Sequence, residues 1–451
     1  MSPVKCNGRS DGLQALHEWM TQNRLSSDRP EAPVFEEVLA NRELARFFQS
    51  LQAPDPARWA EGLFPPSPGP GPFNFEPTDR MMRDEEKEVC IAAAADCIRR
   101  GACIYGPEIE VLAGHLIRFL DVNHVILCSS GTAALTVALL ALEVRPTDEV
   151  IIPANSFAAT ENAVLAIGAK PVLADVREDT HNLDPQSVER VITPRTRVIL
   201  PVDLYGALAD MDALRDIADR RGLYLLEDAC QAIGANGMGK KSHLATLSFN
   251  TYKNFAGCGK AGAVVTDDGD LATKVAMISY QGFEPGRKMF KRLPFGSNCL
   301  IDNLQAATLL ARLPYLSLIN FRRLSLASRY DRAFQELQDT GVLALPKGRA
   351  SHAWHQYTIT LANREAREGL KIFMGSRGLP TEIIYPMLSH QQDTPLRRTV
   401  YQDARVPVTE SLHERKISLP VFNGITLEEQ DRVIEAVQDF GRSSPFRQVA
   451  A

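Results

Sequence analysis

The sequence predicts an α/β fold with a mostly parallel central sheet. From about residue 86 to residue 310, short and almost wholly apolar segments alternate with helical patterns. Such alternation is typical of strands that crossover helices bury on both faces. After about residue 310 the pattern changes to a long helix and a mixed α+β tail. A smaller second domain is therefore expected there.

The chain begins with a segment that is separate from this alternation. Residues 1–62 contain short helical patterns, and the stretch Phe64–Phe73 is rich in proline and glycine. Proline removes backbone donors and glycine loosens the chain, so this stretch is a linker. We expect an N-terminal helical extension with its linker at 1–75, a large domain at 76–310 and a small C-terminal domain at 311–451.

The elements of the large domain follow from hydrophobic periodicity. After a helix from Glu86 to Gly101, the predicted strands are HVILC (124–128), EVIIP (149–153), KPVLADV (170–176), VILPVDLYG (198–206) and LYLLEDA (223–229). The predicted helices between them are AALTVALLAL (133–142), residues 158–167 and MDALRDIADRRG (211–222). A last helix is expected to begin at Thr426, because Glu429 three residues later completes a capping box.

Composition excludes several classes of protein. The chain has 451 residues and a net charge of −5, which gives no reason to expect binding to nucleic acid. No apolar run approaches the roughly 20 residues that cross a membrane. The eight cysteines are scattered without Cys-x-x-Cys or zinc spacing. We therefore expect a cytoplasmic protein without a metal site.

Candidate catalytic and binding residues lie at the ends of the predicted strands, where ligands bind in parallel sheets. The turn SSGTAAL (Ser129–Leu135) opens a helix with small residues, and helix N-termini bind anions such as phosphate. Asp228 ends the strand LYLLED. A carboxylate at that place is either a helix cap or a charge held against a ligand, and the residue alone does not decide between them.

Lys253 follows Ser248 by five residues and lies between two apolar strands. An apolar setting disfavours the charged amine and leaves it nucleophilic, whereas the plainer interpretation is a surface lysine. A phosphate turn, a strand-end aspartate and a lysine occur in this chain order. This order is typical of pyridoxal 5′-phosphate (PLP) enzymes with the aspartate-aminotransferase fold, also called fold type I. In them the aspartate keeps the pyridine nitrogen protonated.

The chain from about Glu86 to Phe440 resembles the DegT/DnrJ/EryC1/StrS aminotransferases, known for sugar and cyclitol substrates. The resemblance covers about four-fifths of the chain. The segments that carry it include SSGTAAL, DEVIIPANSFAAT, GAKPVLADV, PVDLYGALADM, EDACQAIGA, SFNTYKN, SNCLIDNLQAA, WHQY and YPMLSHQQ.

The resemblance implies a role for each matching residue. Lys253 is similar to the Schiff-base lysine that also moves the proton between substrate and cofactor, and Asp228 to the partner of the pyridine nitrogen. The other matching positions form the cofactor site: Gln231 near the phenolic oxygen, Phe157 stacked on the ring, and Gly131, Thr132 and Ser248 around the phosphate.

Three further residues match the family's shared or substrate-facing positions. Asn298 resembles an asparagine that reaches the phosphate of the neighbouring subunit's cofactor, which implies a homodimer with shared active sites. Tyr385 and His390 match a segment near the substrate. Departures occur at Leu300, where Arg or Lys is common, at Lys260 and Ala261 in the turn after the lysine, and at Asp203, where His often precedes Leu-Tyr-Gly.

The resemblance implies an aminotransferase. An amino donor, glutamate or glutamine, converts PLP to pyridoxamine 5′-phosphate, and the amine then passes to a keto or aldehyde acceptor. A keto-sugar, a cyclitol ketone or a natural-product intermediate would serve as acceptor. Dehydration, elimination or cyclisation on the same fold, and an inactive regulator, are the alternatives. Lys253 argues against dehydration, for which relatives typically carry histidine.

Overall fold

A computed structural model describes residues 71–287, 289–347 and 352–443 of the chain. The helical patterns predicted within residues 1–62 lie outside these residues, as does most of the proline-rich linker. The described residues form two compact units. One comprises residues 90–310 and 383–414, and the other comprises residues 71–89, 311–382 and 415–443. The predicted division at residues 75 and 310 stays a prediction.

The first unit is built on a seven-stranded sheet in the order β1-β7-β6-β5-β4-β2-β3. All neighbours are parallel except β7, which is antiparallel to β1 and to β6. The predicted mostly parallel sheet is confirmed. Its strands are β1 His124–Cys128, β2 Glu149–Pro153, β3 Lys170–Ala174, β4 Thr196–Ile199, β5 Tyr224–Asp228, β6 Leu244–Ser248 and β7 Gly262–Thr266.

Helices cover both faces of this sheet. The α-helices that precede the strands, connect them or directly follow β7 are α1 Asp84–Arg100, α2 Glu108–Leu120, α3 Gly131–Ala141, α4 Ala158–Ala166, α5 Pro185–Val191, α6 Met211–Arg221 and α7 Gly269–Ser279. Apolar side chains of α3, α4 and α7 pack with Val150, Ile152 and Leu226 on one face. Those of α5 and α6 pack with Ile151, Ile199 and Leu225 on the other. Adjacent strand residues therefore face opposite layers.

One predicted strand is shorter than its apolar run. The run over residues 198–206 was expected as one strand-like segment, but β4 ends at Ile199. Pro201 has no N–H to give to a ladder, so regular pairing stops before it. Beyond the proline, Val202 makes an isolated parallel bridge with Asp228, and Leu204–Gly206 forms a single helical turn.

The second unit has its own apolar core and a three-stranded antiparallel sheet in the order β10-β9-β8. Its strands are β8 Leu343–Ala344, β9 Tyr357–Leu361 and β10 Lys416–Leu419. The other α-helices among the described residues, of both units, are α8 Asn303–Arg312, α9 Leu316–Asp339, α10 Arg364–Ser376, α11 Leu396–Thr399, α12 Pro407–Arg415 and α13 Leu427–Ser443.

The predicted capping box begins α13. The backbone N–H of Glu429 donates to Thr426 Oγ1 at 3.1 Å, and the N–H of Thr426 donates to Glu429 Oε2 at 2.9 Å. Each residue thus satisfies a backbone donor that the helix itself leaves without an acceptor.

Within the described ranges, the helices are all too short or too polar to cross a bilayer. The same residues contain no cluster of three or more His, Cys, Asp or Glu side chains that could hold a metal ion. Their seven cysteines are free thiols.

Candidate active site

The topology brings three strand ends to one edge of the sheet. Because β7 runs opposite to β1 and β6, its first residue pairs with the last residue of each: Gly262 lies opposite Cys128 and opposite Ser248. The turn after β1 and the loop after β6 therefore begin side by side. Asp228, the last residue of β5, pairs with Thr246 of β6 at the same edge.

The turn after β1 forms a cradle of small residues at the N-terminus of α3. Ser130 caps the helix, since its Oγ accepts from the N–H of Ala133 at 3.1 Å. A Cβ built on Gly131 would lie 2.8 Å from Ser248 Cβ, and one on Gly262 would lie 2.7 Å from the N atom of Gly131. Only glycine at both positions allows this approach. The exposed Thr132 follows in the first turn of α3, where backbone N–H groups lack helical acceptors.

Asp228 is buried and held by two hydrogen bonds. Its side chain is 4% exposed. Thr160 Oγ1 of α4 donates to Oδ2 at 2.7 Å, and the N–H of Cys230 donates to Oδ1 at 3.2 Å. These bonds fix the carboxylate at the strand end. No helix begins in the described residues between β5 and β6, so Asp228 does not cap one. The bond from Cys230 is local to the turn, and the bond from Thr160 comes from a helix 68 residues earlier in the chain.

Lys253 lies in the loop after β6, partly buried, with its backbone N–H bonded to the carbonyl of Asn250 at 2.8 Å. Its charge and that of Asp228 both act on the thiol of Cys230. Burial and Asp228 raise the pKa of Cys230, whereas Lys253 lowers it. Lysine and aspartate thus share one neighbourhood around Cys230, although 25 residues of sequence separate them.

A second group of side chains surrounds Gln231. Its Oε1 accepts from the N–H of Tyr205 at 2.7 Å, and its Nε2 donates to Tyr385 Oη at 2.9 Å. The ring of Tyr385 lies 5.6 Å from that of Phe157, which is 58% exposed. Asn155 donates to the hydroxyl of Tyr205 at 3.4 Å. Three predicted residues, Gln231, Phe157 and Tyr385, are therefore in one contact network.

Two predicted residues, Asn298 and His390, lie outside the contact network around Gln231. Asn298 is exposed and forms a backbone bridge with Tyr280. The carbonyl of the next residue, Cys299, accepts from the N–H of Ser129 at 2.7 Å, so this loop borders the cradle. His390 lies in a short helical turn, and its Nε2 is 2.8 Å from Glu410 Oε1. The imidazole of His390 therefore contacts a carboxylate of α12.

The sequence did not point to Thr160, Cys230, Tyr205 or Asn155. Thr160 could have been found, because it follows Phe157 by three residues and shares its side of α4. Asn155 lies in the same quoted segment. Tyr205 and Cys230 also lie in quoted segments, and Cys230 stands between the predicted Asp228 and Gln231. The bond between Tyr205 and Gln231 spans 26 residues, and no local pattern reveals it.

A model of the DegT/DnrJ/EryC1/StrS aminotransferase family matches residues 84–438. The chain belongs to this aminotransferase family. It is similar to the 3-oxo-glucose-6-phosphate:glutamate aminotransferase of Bacillus subtilis, with 44% identity over 80% of this chain and 82% of the relative. It is 36% identical to the dTDP-3-amino-3,4,6-trideoxy-alpha-D-glucose transaminase of Streptomyces venezuelae, over 77% of this chain and 91% of that one.

Among solved structures, the crystal structure of NtdA from B. subtilis with bound cofactor PMP superposes with a TM-score of 0.84. It is 38% identical and covers 97% of this chain and 99% of its own. The predicted family, fold type, enzyme class and cofactor are confirmed: this member of the family is a PLP-dependent aminotransferase. It moves an amino group to a keto or aldehyde acceptor.

The residues at the sheet edge fit a phosphorylated pyridine ring. The cradle at Gly131 is closed to any larger side chain, as a backbone that must approach a phosphate requires. A buried carboxylate and a lysine lie beyond it, around Cys230. Together these residues supply an anion cradle, a negative charge and an amine.

We expect the substitution Gly131→Ala to weaken PLP binding about tenfold or more, because the new methyl group must displace Ser248 or the turn itself. Titration of the apo enzyme with PLP, followed by absorbance, measures the dissociation constant. Gly114→Ala is the matched control: a Cβ there meets nothing within 4 Å, and the residue lies inside α2. Equal affinity of the Gly131 variant and the control would remove Gly131 from the phosphate cradle.

Proposed function

We propose that this enzyme transfers the amino group of glutamate to a 3-oxo-hexose phosphate. The observation that supports this most strongly is the 44% identity to a relative named for that donor and acceptor. The sequence departures gave reason to look beyond sugar nucleotides, and a sugar monophosphate is one such acceptor.

We assign the cofactor contacts as follows. Gly131, Thr132 and Ser248 hold the phosphate, Asp228 faces the ring nitrogen, Gln231 lies near the phenolic oxygen, and Phe157 packs on the ring. The ring of Phe157 is exposed and lies 5.6 Å from that of Tyr385, so a ligand can reach it there.

Bound PLP supplies an aldehyde that accepts amines and a ring that withdraws electrons from the donor's α-carbon. Lys253 would hold the cofactor through its amine and would serve as the base for the α-proton of the donor. Asp228, which Thr160 and Cys230 orient, would hold a negative charge at the ring nitrogen. Tyr385, bonded to Gln231 and packed near Phe157, is placed to contact the acceptor. His390 stays a weaker candidate for that role.

A homodimer with shared sites is part of this proposal. Exposed aromatic residues lie around the loop that carries Asn298, namely Tyr280 and Phe295 and, near Tyr280, Tyr105. Such a surface is typical of an interface between copies. We propose that Asn298 reaches the phosphate held by the neighbouring subunit.

Subunit complementation tests the shared site. Mixed dimers of Lys253→Ala and Asn298→Ala chains contain one site with both residues intact. The mixture should therefore exceed the summed activity of the two variants measured separately. Activity no greater than that sum, from dimers shown to exchange subunits, would place Asn298 in its own subunit's site.

The substrate is tested with a panel of acceptors and donors. We expect glutamate with 3-oxo-glucose 6-phosphate to give the highest kcat/KM, measured as 2-oxoglutarate released. Removing the phosphate should lower kcat/KM by about 10²-fold, because a charge-assisted contact is lost. A dTDP-linked keto-sugar is the competing acceptor. Preference for it, or for glutamine as donor, would overturn the assignment. We further propose a cytoplasmic role in natural-product biosynthesis.

A further inference from the structure

Two carboxyl groups that have no assigned role at the cofactor are fully buried beside neighbouring strand ends. Asp203 and Glu227 are each 0% exposed. The backbone N–H of Asp203 donates to the carbonyl of Asp228 at 3.0 Å, and the N–H of Asp228 donates to the carbonyl of Pro201 at 2.9 Å. These bonds continue the parallel ladder beyond the end of β4.

The register of this ladder sets which side chains meet. Val202 is bridged to Asp228 in parallel, so the side chains of these two residues share one face of the sheet. Because side chains alternate, Asp203 and Glu227 share the opposite face. Asp228 thus faces α4, from which Thr160 reaches it. The two buried acids lie behind it, on the side of α5 and α6.

The hydrogen bonds of the pair account for only one negative charge. Glu227 accepts from the N–H of Gly239 at 3.1 Å on each oxygen, and Ser242 Oγ donates to its Oε2 at 2.8 Å. Asp203 Oδ1 accepts from the N–H of Ala209 at 2.9 Å. Its Oδ2 is buried without a donor among the described residues. An ionised oxygen that is buried without a hydrogen-bond donor would destabilise the fold, whereas a protonated oxygen can donate a hydrogen bond to Glu227.

The charges around Asp203 also favour a protonated Asp203 carboxyl. Burial and the charge of Glu227 raise the pKa of Asp203 well above the ordinary range, and Asp228 adds to this. Burial also raises the pKa of Glu227. Both charged neighbours come from β5. The groups that approach from the Ala209 turn and the Gly239 loop are backbone N–H groups and a hydroxyl, which hold no charge.

We propose that Asp203 is a positioning residue. Its carboxyl stays protonated and donates a hydrogen bond to ionised Glu227 on the neighbouring strand, and this bond holds the strand end that presents Asp228. The proton also keeps two negative charges, and not three, at these strand ends. This role acts on the cofactor site through Asp228. It goes beyond the proposed function, because it depends on neither the donor nor the acceptor.

The sign of the pH effect follows from the retained proton. The folded protein holds it more tightly than the unfolded chain does. The free energy of unfolding therefore declines as pH rises from the ordinary carboxyl range towards the raised pKa of Asp203. Asp203→Asn keeps a donor to Glu227 without a titrating proton, so this decline should be absent. Asp203→Leu keeps the forked shape of the side chain, with larger terminal groups, and loses the donor.

Infrared spectroscopy of the cofactor-free enzyme tests the proton directly. At neutral pH the wild type should show the carbonyl stretch of an un-ionised carboxylic acid, and Asp203→Asn should lack it. The exposed Asp216, paired with Arg220 on α6, provides the control variant Asp216→Asn, which should retain the band. Absence of the band from the wild type would overturn the proposal, whatever the substrate proves to be.

Positioning is tested by the response of the cofactor site. With Asp203→Leu we expect PLP affinity to fall about tenfold, the loss associated with one buried unsatisfied acceptor, and the pH dependence of the visible absorption to change. Asp203→Asn should restore the wild-type affinity. Equal affinity and equal pH dependence in the leucine variant and the wild type would contradict the role. If the leucine variant does not fold, the infrared comparison and the stability profile of Asp203→Asn decide the question.

Discussion

Replacement of Lys253 by alanine is expected to abolish amino transfer and to leave the fold intact. The lysine is proposed to hold the cofactor and to move the proton of the donor. The variant therefore loses both a nucleophile and a base, and kcat should fall by about 10⁴-fold or more. Lys253 lies in a loop after β6 and not inside a regular element. For that reason the unfolding free energy should change little.

The comparison with Lys241→Ala separates this effect from the loss of any lysine. Lys241 is exposed and pairs with Asp212 at 2.6 Å on the surface, where ion pairs contribute little. Its variant should keep wild-type turnover. Circular dichroism and thermal unfolding establish that both variants are folded. An active Lys253→Ala enzyme would show that another amine serves the cofactor.

Small primary amines sharpen the test. If the missing group acts as a base, added ethylamine should restore part of the turnover of the alanine variant, because it fits the space that the side chain vacates. A loss caused by misfolding would not respond to the amine. Rescue should increase with the concentration of the unprotonated amine and therefore with pH.

Local sequence patterns were sufficient for most elements of the fold. Strands such as Glu149–Pro153 are short and wholly apolar because both faces of the sheet are covered, and that burial is visible in composition alone. The position of β7 was not predictable. It is antiparallel and lies between β1 and β6, and strand order depends on contacts between residues far apart in the chain.

The residues of the site likewise comprise some that local sequence features locate and others that depend on contacts between distant parts of the chain. The location of Asp228 at a strand end and of Gly131 at a helix N-terminus could be predicted, because both are local features of the sequence. Their roles at the cofactor stay predictions. The bond between Thr160 and Asp228 spans 68 residues, and the partners of Asp203 come from two other segments. Such contacts depend on the register of the sheet. A departure such as Asp203 was visible in the sequence, but its consequence required the ladder beside Asp228.

Asp228→Asn should retain PLP and lose most of the rate. The amide has nearly the shape of the carboxylate, so the hydrogen bonds from Thr160 and Cys230 can still orient it. It carries no charge, however, and cannot hold the ring nitrogen protonated. The electron-withdrawing power of the ring then falls, and we expect kcat to drop about 10²-fold or more, as when an electrostatic contact to the reacting centre is removed.

Two measurements distinguish this charge effect from a general loss of structure. The dissociation constant for PLP should stay within about threefold of the wild type, since the phosphate cradle is untouched. The pH dependence of the visible absorption should change, because the ring nitrogen loses its proton at neutral pH. Thr160→Val removes one orienting donor but keeps the charge, so it should reduce kcat by only about tenfold. A near-normal rate in Asp228→Asn would mean that another group serves the nitrogen, and the charge at the end of β5 would then have no part in the chemistry.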